Sequence, residues 1–201
     1  MVIIGITGSI GMGKTTVSKM LEMLKIPVFD SDQKVKRILE DNRIVIKKIL
    51  KTWPDTISKN RKKAKIDKVA LSNKIFKNKK DRVKLENIIH PIVNKEKDQF
   101  LKNFKKNRIV GLDIPLLYET GADKQCDYIF LVNTTKKIQR KRVLMRPNMT
   151  EEKFNLINNS QWSFKKKILN GKPIIINTSF TKTVTFFIVL FYLSKIKFNG
   201  K

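Results

Sequence analysis

The residues Gly8-Ser9-Ile10-Gly11-Met12-Gly13-Lys14-Thr15 fit the pattern G-x-x-x-x-G-K-[ST]. Glycines at these spacings let a backbone wrap closely round phosphate oxygens, so that successive N–H groups converge on them. A helix opening near Lys14 would turn the positive end of its dipole toward the same anion. Lys14 would then reach the β- and γ-phosphates of a nucleoside triphosphate, and the Thr15 hydroxyl would ligate Mg²⁺. Gly8, Gly11, Met12, Gly13, Lys14, Thr15 and Thr16 are therefore the expected nucleotide contacts.

Such a turn works only between a strand and a helix. Val2 to Ile6 is a short apolar run with β-branched residues, suited to a buried parallel strand. Lys14 to Leu24 reads as a helix with Val17, Met20, Leu21 and Leu24 on one face. Ile26 to Phe29 reads as a second strand, running into Asp30 and Asp32 on the following loop. This βαβ unit seeds a doubly wound sheet. From about residue 33 to 105 the chain is Lys-rich, glycine-free and helical in period. Helices are expected over Asn42 to Trp53, Lys68 to Phe76 and Lys80 to Phe104, the last interrupted at Pro91. Strand patterns resume at Ile109 to Ile114, Tyr128 to Val132 and Ile174 to Ile176. The basic stretch Thr135 to Gly171 reads as helical in pieces, with a lid at about 140–170. The expected fold is α/β, a P-loop nucleoside-triphosphate hydrolase fold: a parallel sheet flanked by helices, one domain over 1–201 with an acceptor-binding insertion and a lid.

Val184 to Leu193 is a nearly continuous apolar run. A bilayer span needs about 20 apolar residues, so a helix buried against the sheet is expected and no membrane partner; attachment to a surface through this run is the alternative. No N-K-x-D sequence is present, which argues against a G protein. The length suits a small metabolite kinase better than a motor ATPase.

Asp30-Ser31-Asp32, taken with Gly5 to Gly11, resembles the opening of the dephospho-coenzyme A kinase family. His90-Pro91 and Asp113-Ile114-Pro115-Leu116-Leu117-Tyr118-Glu119 continue the likeness, as do Gln139, Arg142 and Arg146, then Gln161 and Lys167, and finally Asn177. Ser163 stands where that family commonly has proline, and Leu169 to Lys172 depart from its approach to the last strand. The resemblance implies transfer of the γ-phosphoryl of ATP to the ribose 3′-hydroxyl of dephospho-CoA. A ribose hydroxyl is a poor nucleophile at neutral pH and is helped by a carboxylate in reach. Asp32 is the expected base, with Asp30 holding it or a metal-bound water; capping the next helix is the structural alternative for Asp32. Lys14 and Arg142 join Asp32 as expected catalytic groups. Asp113 ends a strand where a Mg²⁺-shell carboxylate belongs, or else opens the turn before Pro115. Arg142 and Arg146 can pair bidentately with phosphate oxygens, with Arg140 adjacent, unless they merely face solvent. Asn177 is expected at the nucleotide, and His90, Leu116, Glu119 and Gln161 at the acceptor; His90 could equally be structural, and Glu119 could cap or pair with a lysine. Another small P-loop nucleoside or nucleotide kinase, or a non-catalytic NTP-binding, nucleic-acid-associated protein, are the competing readings.

Only the net charge of +27 speaks for the nucleic acid. The 44 Lys and Arg are spread along the chain, so salt-sensitive non-specific binding is expected rather than a specific nucleic-acid partner. A single cysteine, Cys126, forms no internal disulfide and reads as a small buried hydrophobe. With no apolar signal segment ahead of the first strand, the cytoplasm is the expected compartment, and a monomer the expected state.

Overall fold

The computed structural model describes residues 1–58, 65–147 and 149–199, so 59–64 of the expected insertion and 148 of the expected lid lie outside the described residues. The chain forms two compact units, one of Met1–Asp30 with Asn103–Lys201, the other of Ser31–Lys102.

The first unit is built on five strands: β1 Val2–Thr7, β2 Val28–Asp30, β3 Ile109–Asp113, β4 Tyr128–Asn133 and β5 Ile174–Asn177. They pair in the order β2-β3-β1-β4-β5, every pair parallel. Helix α1 (Lys14–Met23) follows β1. The second unit holds α2 (Ser31–Asp41), α3 (Arg43–Thr52), α4 (Lys68–Lys77) and most of α5 (Lys79–Asn103). Back in the first unit, α6 (Lys136–Leu144), α7 (Glu151–Ser160) and α8 (Phe164–Gly171) separate β4 from β5, and α9 (Lys182–Asn199) closes the described chain.

Strand β1 lies mid-sheet, and Ile4 and Ile6 are wholly buried, which is why its sequence is apolar without alternation. They pack with Val17 and Leu21 of α1, Phe130 and Val132 of β4, Ile176 of β5 and Val189 and Leu193 of α9. Register then fixes the polar edge. Asp113 stands opposite both Ile6 and Asp30, and Asn133 opposite Asn177. The strand ends carrying Asp30, Thr7, Asp113, Asn133 and Asn177 therefore gather at the carboxyl side, where open α/β sheets bind ligands.

Three expectations change. Strand β2 is shifted to Val28–Asp30, and α2 starts at Ser31 with no intervening loop, so Asp32 sits in a helical first turn. The stripe Val35, Ile38 and Leu39 drives that early start, because it packs on the second unit's core. Helix α5 runs through Pro91 unbroken. Leu85 and Ile89 before the proline and Ile92 and Val93 after it join one cluster, and this burial outweighs the hydrogen bond that proline removes. The apolar run near the end lies in α9 but only one face is buried: Phe187 and Phe191 are exposed. Cys126 is half-buried against Leu117, Tyr118 and Ile129.

In the second unit, Asn42 accepts from Val45 N–H to cap α3, and Asp67 accepts from Val69 and Ala70 to cap α4. Trp53 is buried there and donates its indole N–H to Asp81 at 3.2 Å.

Phe130 has no exposed surface and joins β4 to the core under α1. Phe130→Ala is expected to cost about 3–5 kcal/mol, measured by urea denaturation of the whole chain.

Candidate active site

The turn between β1 and α1 needs glycine at two places. Gly11 (φ 77°) and Gly13 (φ 95°) are left-handed, and a Cβ on Gly11 would lie 2.4 Å from Val143 Cγ2. Gly13 is the N-cap of α1 and supplies no side-chain hydrogen bond, and the first turn carries no acidic residue. Gly13 thus offers the orphan N–H groups of this helix end no side-chain acceptor of its own, an arrangement suited to an anion.

Two side chains of α1 converge on Asp113. Lys14 Nζ lies 2.7 Å from Oδ1, and Ser18 Oγ donates to Oδ2 at 2.6 Å. Asp113 is 2% exposed, a depth at which a carboxylate needs such partners.

The turn is gripped from behind by residues far along the chain. Ile10 N–H donates to Gln161 Oε1 at 3.0 Å, and Ile10 O accepts from Gln139 Nε2 at 2.8 Å. Thr178 Oγ1 donates to Met12 O at 2.7 Å and accepts from Arg142 Nη1 at 3.0 Å. Arg142 Nη2 also donates to Thr178 O at 2.8 Å, so the guanidinium is aligned by a fork of two bonds. Asn177 Oδ1 accepts from Ser179 N–H at 2.8 Å, shaping the turn after β5. Arg140 pairs with Glu151, tying α6 to α7.

A second polar cluster lies under the chain between α7 and α8. Glu119 Oε1 accepts from Trp162 N–H at 2.7 Å, and Lys167 Nζ lies 3.4 Å from the same oxygen. Lys167 is only 1% exposed, and burial first of all pushes its ammonium below the ordinary lysine value, against the pull of Glu119. Tyr118 stacks on Trp162 with ring centroids 6.2 Å apart, and burial raises its phenol to about 12.

Next to the phosphate turn, a cavity of about 500 Å³ opens between α1 and the start of α9. Thr15, Thr16, Lys19, Met20, Met23 and Phe186 are among its walls.

The first unit thus collects Gly8 to Thr16, Asp30, Asp113, Arg142, Gln161 and Asn177 about one sheet edge and its turn. Glu119 is linked to them through the Gln161–Trp162 segment, and Leu116 O accepts from Thr120 N–H at 3.0 Å in the turn beyond β3. Arg146 is exposed just past α6. Asp32 and His90 are exposed residues of the second unit, in α2 and α5. Sequence reasoning passed over Ser18, Thr178 and, among the cavity walls, Lys19, Met23 and Phe186. A serine one turn after Lys14 was the available signal for Ser18; Thr178 had none beyond adjacency to Asn177.

Comparisons of the sequence with known proteins point to one family. The family model described as dephospho-CoA kinase matches residues 2–182. The dephospho-CoA kinase of Zymomonas mobilis is 35% identical over 192 residues, covering 92% of this chain and 95% of that protein. That of Agrobacterium fabrum is 39% identical over 159 residues, covering 78% and 79%. Among solved structures, TT1252 from Thermus thermophilus superposes with a TM-score of 0.82 at 24% identity, covering 98% of this chain and 97% of that one. Dephospho-CoA kinase from Campylobacter jejuni gives 0.69 at 24% identity, covering 99% and 98%. These two likenesses are of fold.

Two outcomes are expected. Thr178→Val removes the hydroxyl joining Met12 to Arg142 and should weaken ATP binding about tenfold by titration calorimetry, the worth of one or two hydrogen bonds. Glu119→Gln leaves Lys167 buried without its counter-charge, at a cost of about 3–5 kcal/mol near neutral pH. Loss of Glu119 lowers the folded-state Lys167 pKa further, so the folded variant sheds its proton at lower pH than the wild type. The unfolded chain holds its proton until near 10.5, so stability rises with pH through that window and the deficit shrinks. Denaturation curves at neutral and alkaline pH measure both effects.

Proposed function

Because the chain belongs to the dephospho-CoA kinase family and so phosphorylates dephospho-CoA with ATP in CoA biosynthesis, we propose how its own residues carry the transfer to the ribose 3′-hydroxyl. The observation that carries this reading is the uncapped α1 end beside the Lys14–Asp113 pair at the carboxyl edge of the sheet. The triphosphate lies along Gly8 to Thr16, its oxygens met by backbone N–H groups and by Lys14. Arg142, aligned by Thr178, balances charge on the transferring group, and Arg146 adds a second cation. The cavity beside Thr15 and Thr16 takes the base of ATP, with Met20, Met23 and Phe186 as its apolar walls.

The 3′-oxygen attacks the γ-phosphorus as the bond to the β–γ bridging oxygen breaks, and ADP leaves. The hydroxyl proton goes to Asp32. Asp32 follows Asp30 by two residues, within about 7 Å of chain, and Asp30 stands opposite Asp113 in the sheet. Asp32 lies in the first turn of α2. Asp30 orients it. We assign the acceptor's remaining contacts to His90, Leu116, Glu119 and Gln161. Residues about 140–170 are the lid of a single kinase domain.

The residues fit Mg²⁺. That ion keeps several waters and takes one or two carboxylates plus phosphate oxygens, and the exposed Thr15 hydroxyl stands in the turn while both Asp113 oxygens are already hydrogen-bonded. Thr15 would hold it directly and Asp113 through water; when bound, it supplies charge neutralisation between the β- and γ-phosphates. Among the described residues no helix is long and apolar enough to cross a membrane. A cytoplasmic monomer without a specific nucleic-acid partner is the accompanying proposal.

The test is ADP release with dephospho-CoA, with a panel of nucleosides and nucleotides, and with no acceptor. Release that depends on dephospho-CoA is expected, with kcat falling about 10²–10⁴-fold in Asp32→Asn while KM for ATP holds. An unchanged kcat in that variant would remove Asp32 from the proton transfer.

A further inference from the structure

Helix α9 has two apolar faces of different fate. Thr185, Val189, Leu193 and Ile196 are buried, and the three aliphatic residues among them pack into the core. Round the other side, Val184, Phe187, Leu190 and Phe191 are 44%, 62%, 39% and 52% exposed. At 3.6 residues per turn they fill an arc of about 120°, with Lys197 on one border and Lys195 on the other. Phe180, 57% exposed, stands just ahead of the helix. Single exposed hydrophobes are ordinary, but four on one helical stripe make a contiguous patch. The family match stops at residue 182, so this stripe lies outside the matched segment.

Charge decides the occupant. From Lys153 to Lys201 the chain has no acidic residue and nine lysines, within a chain of net charge +27. A second copy would bring like charge against like charge round the stripe. Nucleic acid would match the lysines but not four apolar side chains. An anionic bilayer surface matches both, offering acyl chains to the stripe and phosphate headgroups to its borders. Lys195 already lies along the stripe, its Nζ 4.5 Å from the Phe191 ring centroid, with a stem able to lie on apolar surface while its charge reaches outward.

We propose that α9 is an interfacial anchor that seats this kinase on anionic lipid, Val184, Phe187, Leu190 and Phe191 entering the headgroup boundary and Lys195 and Lys197 meeting the phosphates. It lies on the bilayer and does not cross it. This replaces the expectation of no membrane partner with a peripheral one.

Flotation with phosphatidylcholine vesicles, with and without phosphatidylglycerol, tests it against Phe187→Ser/Phe191→Ser, a double variant of unchanged charge. The full-length enzyme should float with the anionic vesicles only, and the variant should partition at least tenfold less while its activity without vesicles holds. The indole introduced by Phe187→Trp should shift to the blue and be quenched by brominated lipid. Equal flotation of wild type and double variant would reduce the effect to charge alone and overturn the proposal. So would no flotation at all, or a concentration-dependent dimer in sedimentation that the double variant abolishes.

Discussion

A carboxylate buried in a protein interior needs partners, and Asp113 finds them on α1. Lys14 supplies charge and Ser18 a proton donor, both from α1. Because β3 lies next to β1, this pair joins the phosphate turn to the neighbouring strand rather than to a distant loop. Replace the parallel register of Ile6 with Asp113 by a slip of one residue and the carboxylate would turn to the other face of the sheet.

Features set by neighbouring residues were legible in the sequence. The phosphate turn, the apolar strands and the helix after Gly13 each depend on a few consecutive side chains. Asp113 could be placed because a strand end can be read from where hydrophobicity stops. Asp32 was misplaced onto a loop because the helix start is set by a stripe packing into the second unit, which no local signal at Ser31 announces. The passage of α5 through Pro91 has the same origin: local chemistry argues for a break, and burial of Leu85, Ile89, Ile92 and Val93 overrides it. Between Val184 and Leu193 nearly every position is apolar, so periodicity carries no phase there, and only the structure shows which half is covered.

The site's supporting contacts were the least legible part, since each spans a long stretch of chain. Thr178 and Met12 are 166 residues apart, and Ile10 and Gln161 are 151 apart. A threonine or glutamine has no pattern that announces such a partner. The Glu119–Lys167 pair adds another case, a lysine driven inside a region whose composition reads as solvated surface. Its charge is tolerated there because Glu119 both opposes it and fixes the backbone of Trp162, next to the glutamine that holds the phosphate turn.

Ile10 has its N–H and its carbonyl committed to two glutamine side chains, one from α6 and one from just beyond α7. The residue therefore behaves as a fulcrum. Any tilt of the α6–α7 pair levers the phosphate turn, and any ligand that stiffens the turn must steady that pair in return. Reciprocity of free-energy coupling makes the two effects equal in size. The coupling between nucleotide affinity and the order of these helices is one free energy seen from two ends.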